Sequence, residues 1–222
     1  MADSNLRVVG PGVPDAAAPL LPAMNSADIR RRLAGHEPRI LPPAEFEASV
    51  AMVLRPSAAG PEALFIERAR KPSDPWSGQM ALPGGRHDET DRDLRHTAER
   101  ETVEEVGLSL EGARLIGRLD DQAGQRAGQG RRLRIAAFVY EVDADTGNDL
   151  VVNYEVAEAF WVPLAWFEER SRVIDYRHPP SPEVSFPGVV VGDPDRHIVW
   201  GLTFRFLAAF FEILGRRFAA GG

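Results

Sequence analysis

The sequence predicts a mixed α and β fold of about one domain, and three observations lead to this expectation. The chain has 222 residues, 44% of them hydrophobic, which is enough to build a packed core. Short β-favouring runs alternate with turns that contain glycine or proline, as strands do. Longer segments have the composition and the terminal residues of helices. Strands and helices are therefore both expected, in a chain about one domain long.

Three segments are predicted to be helical. The first covers residues 26–33, where Ser26 can cap the helix and the arginines at 30–32 lie on its solvated side. The second covers residues 91–106, which contain neither glycine nor proline, and it ends before Gly107, a residue type that helix C-termini favour. The third covers the apolar residues 198–214, which are too few for a membrane span and are therefore expected to pack as a terminal helix.

The strands are predicted as short runs of β-favouring residues between turns. A glycine-rich, polar segment at residues 122–130 is expected to form a mobile loop between two of them. The predicted strands cover residues 48–54, 63–67, 80–82, 113–120, 133–142 and 159–162.

A single domain is predicted over residues 25–218, with short tails at residues 1–24 and 219–222. The N-terminal stretch is partly apolar, but Asp3, Asp15 and four prolines interrupt it. It has no cationic segment followed by an unbroken apolar core, so a flexible tail is expected rather than a signal peptide.

The charge balance and the absence of cysteine narrow the function classes. Lys and Arg number 26 against 33 Asp and Glu, which gives a formal net charge of −7. Such a chain repels a phosphate backbone, so neither a nucleic acid nor a membrane is expected as a partner. Without cysteine there are no disulfides, thiolate metal sites or cysteine nucleophiles, and a reducing, cytoplasmic compartment is expected.

Three glutamates on the second predicted helix carry the chemistry. Glu101, Glu104 and Glu105 fall within an arc of about 100°, so their carboxylates share one face. Like charges at this spacing weaken a helix, and a hard divalent cation such as Mg²⁺ or Mn²⁺ compensates for them. Arg100 can hold one of the carboxylates by a charge-assisted hydrogen bond. A merely solvated acidic face is the alternative, and the Gly84 turn before the helix argues against it.

From Gly85 to Leu108 the chain resembles the Nudix hydrolase signature, G-x(5)-E-x(7)-R-E-U-x-E-E-x-G-U, where U is a bulky aliphatic residue. Asp91 stands in the place of the first glutamate, eight residues separate it from Arg100, and Thr102 takes an aliphatic place. The aspartate and the extra residue resemble the coenzyme A diphosphatase branch of that family. Upstream, this branch's pattern is matched in part by residues 68–69, 78 and 82–85.

The resemblance implies an α/β/α sandwich around a mixed β-sheet and a metal-dependent pyrophosphohydrolase that uses Mg²⁺ or Mn²⁺. The expected substrate is coenzyme A or an acyl-CoA, cut to adenosine 3′,5′-bisphosphate and a 4′-phosphopantetheine. The alternatives are another nucleoside diphosphate derivative, such as ADP-ribose, and a nucleotide-binding module that does not cut its ligand. Homodimers are common in the family.

The resemblance also suggests roles for individual residues. Arg68 either contacts a substrate phosphate or pairs with a nearby acid, and Trp76 either stacks on an adenine or covers core. Two histidines, His87 and His96, lack the spacing of a zinc site and are expected at the surface. The implied metal ligands are Glu101, Glu104, Glu105 and the Gly85 carbonyl; the catalytic candidates are Arg100, Glu101, Glu104 and Glu155, with the choice of general base open; the substrate-binding candidates are Arg68, Trp76 and Gly84.

Overall fold

A computed structural model describes residues 23–71, 76–125, 132–179 and 182–220. An eight-stranded mixed sheet lies between helices on its two faces, and a separate three-stranded sheet follows near the C-terminus. The predicted combination of helices with a mixed sheet is therefore confirmed. Most of the predicted N-terminal tail, most of the predicted glycine-rich loop and residues 221–222 lie outside the described residues.

The described chain contains three α-helices, eleven strands and two short 3-10 helices. The helices are α1 (Ser26–Ala34), α2 (Leu94–Val106) and α3 (Gly201–Ile213). The strands are β1 (Phe46–Arg55), β2 (Glu62–Arg68), β3 (Met80–Ala81), β4 (Gly84–Arg86), β5 (Arg114–Arg118), β6 (Gln122–Gln125), β7 (Arg132–Glu141), β8 (Val156–Pro163), β9 (Val173–Arg177), β10 (Ser185–Val190) and β11 (Ile198–Val199), and the 3-10 helices span Leu164–Glu168 and Arg170–Arg172.

The large sheet is built around β1, which runs parallel to β7 and antiparallel to β2. Its strand order is β3-β2-β1-β7-β5, with β8 paired to β2 and β6 paired to β7. The first half of β1 pairs instead with β4, through Ala48 opposite Arg86 and Val50 opposite Gly84. This arrangement brings the glycines of β4 beside the centre of the sheet.

A glycine is required where β4 meets β1. An added Cβ at Gly84 would lie 2.6 Å from the Cα of Val50, which is closer than real Cβ atoms approach backbone. The glycine therefore allows the close contact between the two strands.

Two apolar clusters hold the layers together. Helices α1 and α3 pack on one face of the large sheet through residues such as Ile29, Phe206 and Phe210. On the other face, α2 packs through Leu94, Ala98 and Val106. The sheet thus fixes the orientation of α2, the helix that carries the acidic face.

Helix α2 begins later than predicted. Asp93 is its N-cap, and the Asp93 side chain accepts a hydrogen bond from the His96 backbone N–H. Residues 91–93 are therefore not helical. The predicted end is correct, because Gly107 takes the left-handed conformation, with φ 69°.

The other helices also differ in detail from the prediction. Asn25, not Ser26, caps α1, because its side chain accepts a hydrogen bond from the Asp28 backbone N–H. Helix α3 begins at Gly201, because Ile198 and Val199 form β11 instead. Within the described residues, no helix is long and apolar enough to span a membrane.

Some strands and the end of the packed chain escape the predicted pattern. Residues Gln122–Gln125 form β6 within the predicted loop, where pairing with β7 overrides their polar composition. Phe218 and Ala219 are both buried, and the Ala219 N–H donates to the Phe167 carbonyl. Packing therefore extends one residue into the predicted C-terminal tail.

Candidate active site

The three glutamates of α2 differ strongly in exposure. Glu105 is almost completely buried, the Glu101 side chain is 15% exposed, and the Glu104 side chain is 53% exposed. One face of the helix therefore carries acidic groups from the core out to solvent. The burial of Glu105 distinguishes this face from an ordinary solvated acidic helix.

Glu105 is held at the base of the site by the glycine turn. The Gly84 N–H donates to Glu105 Oε2 over 2.9 Å. Burial raises the pKa of the Glu105 carboxyl to about 8, and the nearby charges of Glu101 and Glu155 raise this pKa further, against the Gly84 hydrogen bond and the charge of Arg68. Three acidic groups thus contribute to one negative region.

Glu101 lies against Gly85, which leaves space for its carboxylate. An added Cβ at position 85 would lie 2.5 Å from Glu101 Cδ. Burial raises the pKa of the Glu101 carboxyl, Arg100 lowers it, and the charges of Glu104 and Glu155 raise it. The absence of a side chain at position 85 therefore determines where Glu101 lies.

Arg100 joins the two outer carboxylates. Its Nη1 lies 3.0 Å from Glu101 Oε1 and 3.0 Å from Glu104 Oε2. Its Nη2 donates to the Arg86 carbonyl over 3.1 Å. Arg100 therefore orients the acidic residues instead of standing free in the cleft.

Asp91 in turn fixes Arg100. The guanidinium forms two hydrogen bonds of 2.9 Å to the Asp91 carboxylate, whose side chain has no exposed surface. Arg100, followed by hydrogen bonds from Asp88 and Thr97, holds the pKa of Asp91 far below its usual range, against the effect of burial. The aspartate thus anchors the arginine of the acidic face.

The two histidines of this region are not simple surface residues, contrary to the expectation above. His96 Nδ1 lies 3.1 Å from Asp91 Oδ1, and His87 Nδ1 lies 2.9 Å from Thr97 Oγ1. Both side chains are half-buried around Asp91. They belong to the support of Arg100.

Glu155 adds a fourth carboxylate from the loop before β8. Its charge raises the pKa of both Glu101 and Glu105, which places it next to them. Glu155 Oε1 accepts a hydrogen bond from Lys71 Nζ over 3.0 Å, and the Glu155 carbonyl accepts one from the Ala69 N–H over 2.8 Å. Sequence reasoning missed Lys71, because its partner lies 84 positions away along the chain.

The three substrate-binding candidates lie in different settings. The charge of Arg68 lowers the pKa of Glu105, so this arginine lies on the acidic side of the sheet. Trp76 lies on the turn before β3, with 38% of its surface exposed. The Gly84 N–H is bonded to Glu105. Of the two acids weighed as partners of Arg68, Glu67 pairs with Arg196, and Asp74 lies outside the described residues.

The acidic face fits a hard divalent cation. Glu101, Glu104 and Glu105 offer oxygen atoms, the ligands that Mg²⁺ and Mn²⁺ prefer. The raised pKa values of Glu101 and Glu105 show that their negative charge is incompletely compensated by the protein. A cation would remove that repulsion.

A second group of possible ligand atoms lies on the opposite face of the sheet. Oxygens of Glu67 and Glu158 and a ring nitrogen of His197 lie within 4.8 Å of one another. Arg196 forms an ion pair with Glu67, however, and lies 3.6 Å from Glu158. The His197 Nδ1 accepts a hydrogen bond from the Asp193 N–H, so the neutral ring carries its proton on Nε2, the atom that faces the acids. This cluster is therefore an ion-paired clamp on the 193–197 loop and not a metal site.

Comparison with known proteins agrees with this geometry. The model of the NUDIX domain family matches residues 45–181, more than half of the chain. An uncharacterized protein of Schizosaccharomyces pombe, C14C4.10c, is 40% identical over 113 residues, which cover 50% of this chain and 34% of that protein. The chain therefore spans about a third of the length of this relative.

Several solved structures are also similar. An Ap4A hydrolase of C. elegans in a binary complex is 18% identical, with 54% of this chain and 81% of that chain covered and a TM-score of 0.43. A NUDIX hydrolase of Alicyclobacillus acidocaldarius is 20% identical, with 54% and 79% covered and a TM-score of 0.46. The NUDIX domain of Shewanella oneidensis NrtR, solved with ADP ribose, is 20% identical, with 61% and 82% covered and a TM-score of 0.41.

Proposed function

The chain belongs to the NUDIX domain family, and from this premise we propose that it is a metal-dependent pyrophosphohydrolase acting on coenzyme A or an acyl-CoA. The products are adenosine 3′,5′-bisphosphate and a 4′-phosphopantetheine. The observation that carries this proposal is the cluster of Glu101, Glu104 and Glu105 beside Gly85, braced by Arg100. A plain surface helix needs neither the glycine contact nor the buried glutamate.

The metal ligands in this proposal are the carboxylates of Glu101, Glu104 and Glu105 together with the Gly85 carbonyl. When bound, divalent cations neutralise the phosphate oxygens and lower the pKa of a bound water. The protein holds two of these carboxylates in place through Arg100 and the third through the Gly84 N–H. Arg68, on the same side of the sheet, is placed to meet a phosphate of the substrate.

Glu155 is the best-supported candidate for the group that removes the proton from the attacking water. Glu101 and Glu104 are both engaged by Arg100, and Glu105 by Gly84. Glu155 instead comes from a separate loop and lies close enough to Glu101 and Glu105 to raise the pKa of both. A general base needs this placement beside the metal ligands without being one of them.

The choice of coenzyme A rests on the Asp91 pattern. In this chain Asp91 precedes Arg100 by nine positions and still binds it through two hydrogen bonds. The aspartate with one extra residue is therefore a working substitute for the glutamate of the common signature. This supports the branch of the family that the sequence resembles. ADP-ribose or a related nucleoside diphosphate derivative is the second candidate, since the acidic face serves any diphosphate.

A substrate panel tests the proposal. The full chain is incubated with Mg²⁺ or Mn²⁺ and with coenzyme A, acetyl-CoA, ADP-ribose or diadenosine tetraphosphate, and the products are separated by chromatography. We expect adenosine 3′,5′-bisphosphate from the first two compounds, and no product from the Glu101→Gln variant. Faster cleavage of ADP-ribose would replace the substrate assignment. The absence of cleavage in the whole panel would favour a binding module.

A further inference from the structure

The loop that carries Glu155 also completes the end of the acidic helix. The Val151 N–H donates to the Val106 carbonyl over 3.0 Å, and the Asn153 N–H donates to the Glu105 carbonyl over 3.1 Å. Carbonyls in the last turn of a helix have no partner within the helix. The loop supplies those partners and so connects the two parts of the site.

Asn153 makes the connection to Glu155 through its side chain. Its Oδ1 accepts a hydrogen bond from the Glu155 N–H over 2.8 Å, two residues further along, as asparagine does in turns. The same residue thus binds the acidic helix with its backbone and Glu155 with its side chain. A single residue relates the two groups of carboxylates.

The opposite side of Glu155 is fixed by the segment that follows β2. The Ala69 N–H donates to the Glu155 carbonyl, and Lys71 Nζ donates to its carboxylate. Lys71 Nζ also lies 4.6 Å from the centre of the Tyr154 ring, and its backbone N–H donates to Ser77 Oγ over 2.7 Å. Because these contacts lead to the sheet, only the Asn153 contacts tie Glu155 directly to α2 among those described.

We propose that Asn153 is a positioning residue that sets the distance between the Glu155 carboxylate and the carboxylates of α2. This inference rests on the proposed function, in which Glu155 takes the proton from water. Loss of the Oδ1 acceptor frees the Glu155 backbone from the helix, and a displaced base lowers the rate of the chemical step. Binding of substrate and of cations, which other residues carry out, stays the same.

Three variants separate this role from general damage to the fold. Asn153→Ala removes the acceptor, and Asn153→Asp restores an oxygen at the same place. The matched control is Asn148→Ala, because Asn148 Oδ1 also accepts a hydrogen bond in this connection, from Arg55 Nη1, at a distance from the acidic face. The measurements are kcat and KM for the best panel substrate, Mn²⁺ affinity by calorimetry, and hydrogen exchange at the Glu155 amide.

For Asn153→Ala we expect a fall in kcat of about tenfold, the effect of losing one orienting hydrogen bond. KM and Mn²⁺ affinity stay within about twofold, and the Glu155 amide exchanges faster. We expect Asn153→Asp to recover most of kcat and Asn148→Ala to match the wild type. Should the alanine variant not fold, Asn153→Ser is used in its place, with a smaller fall in kcat expected.

Wild-type kcat in Asn153→Ala, or equal losses in the alanine and aspartate variants, would overturn the positioning role. An inactive wild type would instead overturn the proposed function. The exchange measurement then decides the structural part alone: faster exchange in Asn153→Ala supports the tie between loop and helix, and unchanged exchange overturns it.

Discussion

The Glu101 carboxylate occupies the space that a side chain at position 85 would need, since an added Cβ on Gly85 would lie 2.5 Å from Glu101 Cδ. The glycine belongs to β4 and the glutamate to α2, so the contact joins the sheet to the acidic helix. The position of an acidic ligand is thus determined by the lack of a side chain on the neighbouring strand. This relationship leads directly to the first prediction.

The Gly85→Ala substitution is predicted to abolish most of the activity. The new methyl group would displace the Glu101 carboxylate, and a shift of about 1 Å in an active-site group can cost about 100-fold in rate. Initial rates with saturating Mg²⁺ measure the effect. Gly35→Ala is the matched control, because its Cβ would lie at an ordinary 3.6 Å from the Arg32 carbonyl. Comparable rates in both variants would contradict the prediction.

The buried Glu105 is predicted to make the metal-free protein less stable as the pH rises. Its folded pKa is raised to about 8 from an ordinary value of 4.5, so between these values the folded state holds a proton that the unfolded state has lost. The free energy of unfolding therefore falls as pH rises through this window, and each pKa unit is worth about 1.4 kcal/mol. Glu105→Gln lacks this dependence.

Urea unfolding in EDTA at pH 5 and pH 8.5 checks this prediction. Relative to the wild type, Glu105→Gln should gain a few kcal/mol of stability on going from the lower to the higher pH. The more exposed Glu104→Gln serves as the control and should follow the wild type. An unchanged difference between Glu105→Gln and the wild type at the two pH values would refute the assigned burial effect.

Asp91→Asn is predicted to lower both stability and activity. The change leaves the half-buried Arg100 without its anionic partner, and breaking a buried ion pair costs about 3 kcal/mol. Arg100 then no longer holds Glu101 and Glu104 in place, so turnover falls as well. Thermal unfolding and initial rates measure the two effects. Asp88→Asn, on the exposed part of the same loop, should behave like the wild type, and equal losses in the two variants would argue against a special role for Asp91.

The two acidic clusters are predicted to differ in their affinity for metal ions. Glu101→Gln should weaken Mn²⁺ binding by at least about tenfold, because a ligand is lost. Glu158→Gln should leave it unchanged, since Arg196 and the protonated His197 Nε2 already face the oxygens of the second cluster. Calorimetric titration with Mn²⁺ measures both affinities. Loss of one bound ion per chain in Glu158→Gln would make the second cluster a metal site after all.

The parts of the site that lie close together in sequence were predictable. The spacing of Glu101, Glu104 and Glu105 places them on one helical face whatever the surrounding fold, and Gly107 ends the helix for a local steric reason. The start of the helix was misjudged because Asp91 bonds to Arg100, and Asp93 takes the capping position. In both cases a local side-chain contact determined the result.

The parts that depend on distant residues were not predictable. Lys71 meets Glu155 and Arg196 meets Glu67 only after the sheet has formed. The hairpin of β9 and β10 was missed because Pro187 lies within β10 and few of its residues are apolar. Pairing between strands stabilised these segments, and no short pattern in the sequence reports such pairing.

Anomalous diffraction at the manganese edge, from crystals soaked with Mn²⁺, tests the central claim most directly. The account predicts peaks at bonding distance from carboxylate oxygens of Glu101, Glu104 and Glu105. Peaks only beside Glu67 and Glu158, or no peak at α2 in crystals saturated with Mn²⁺, would contradict it.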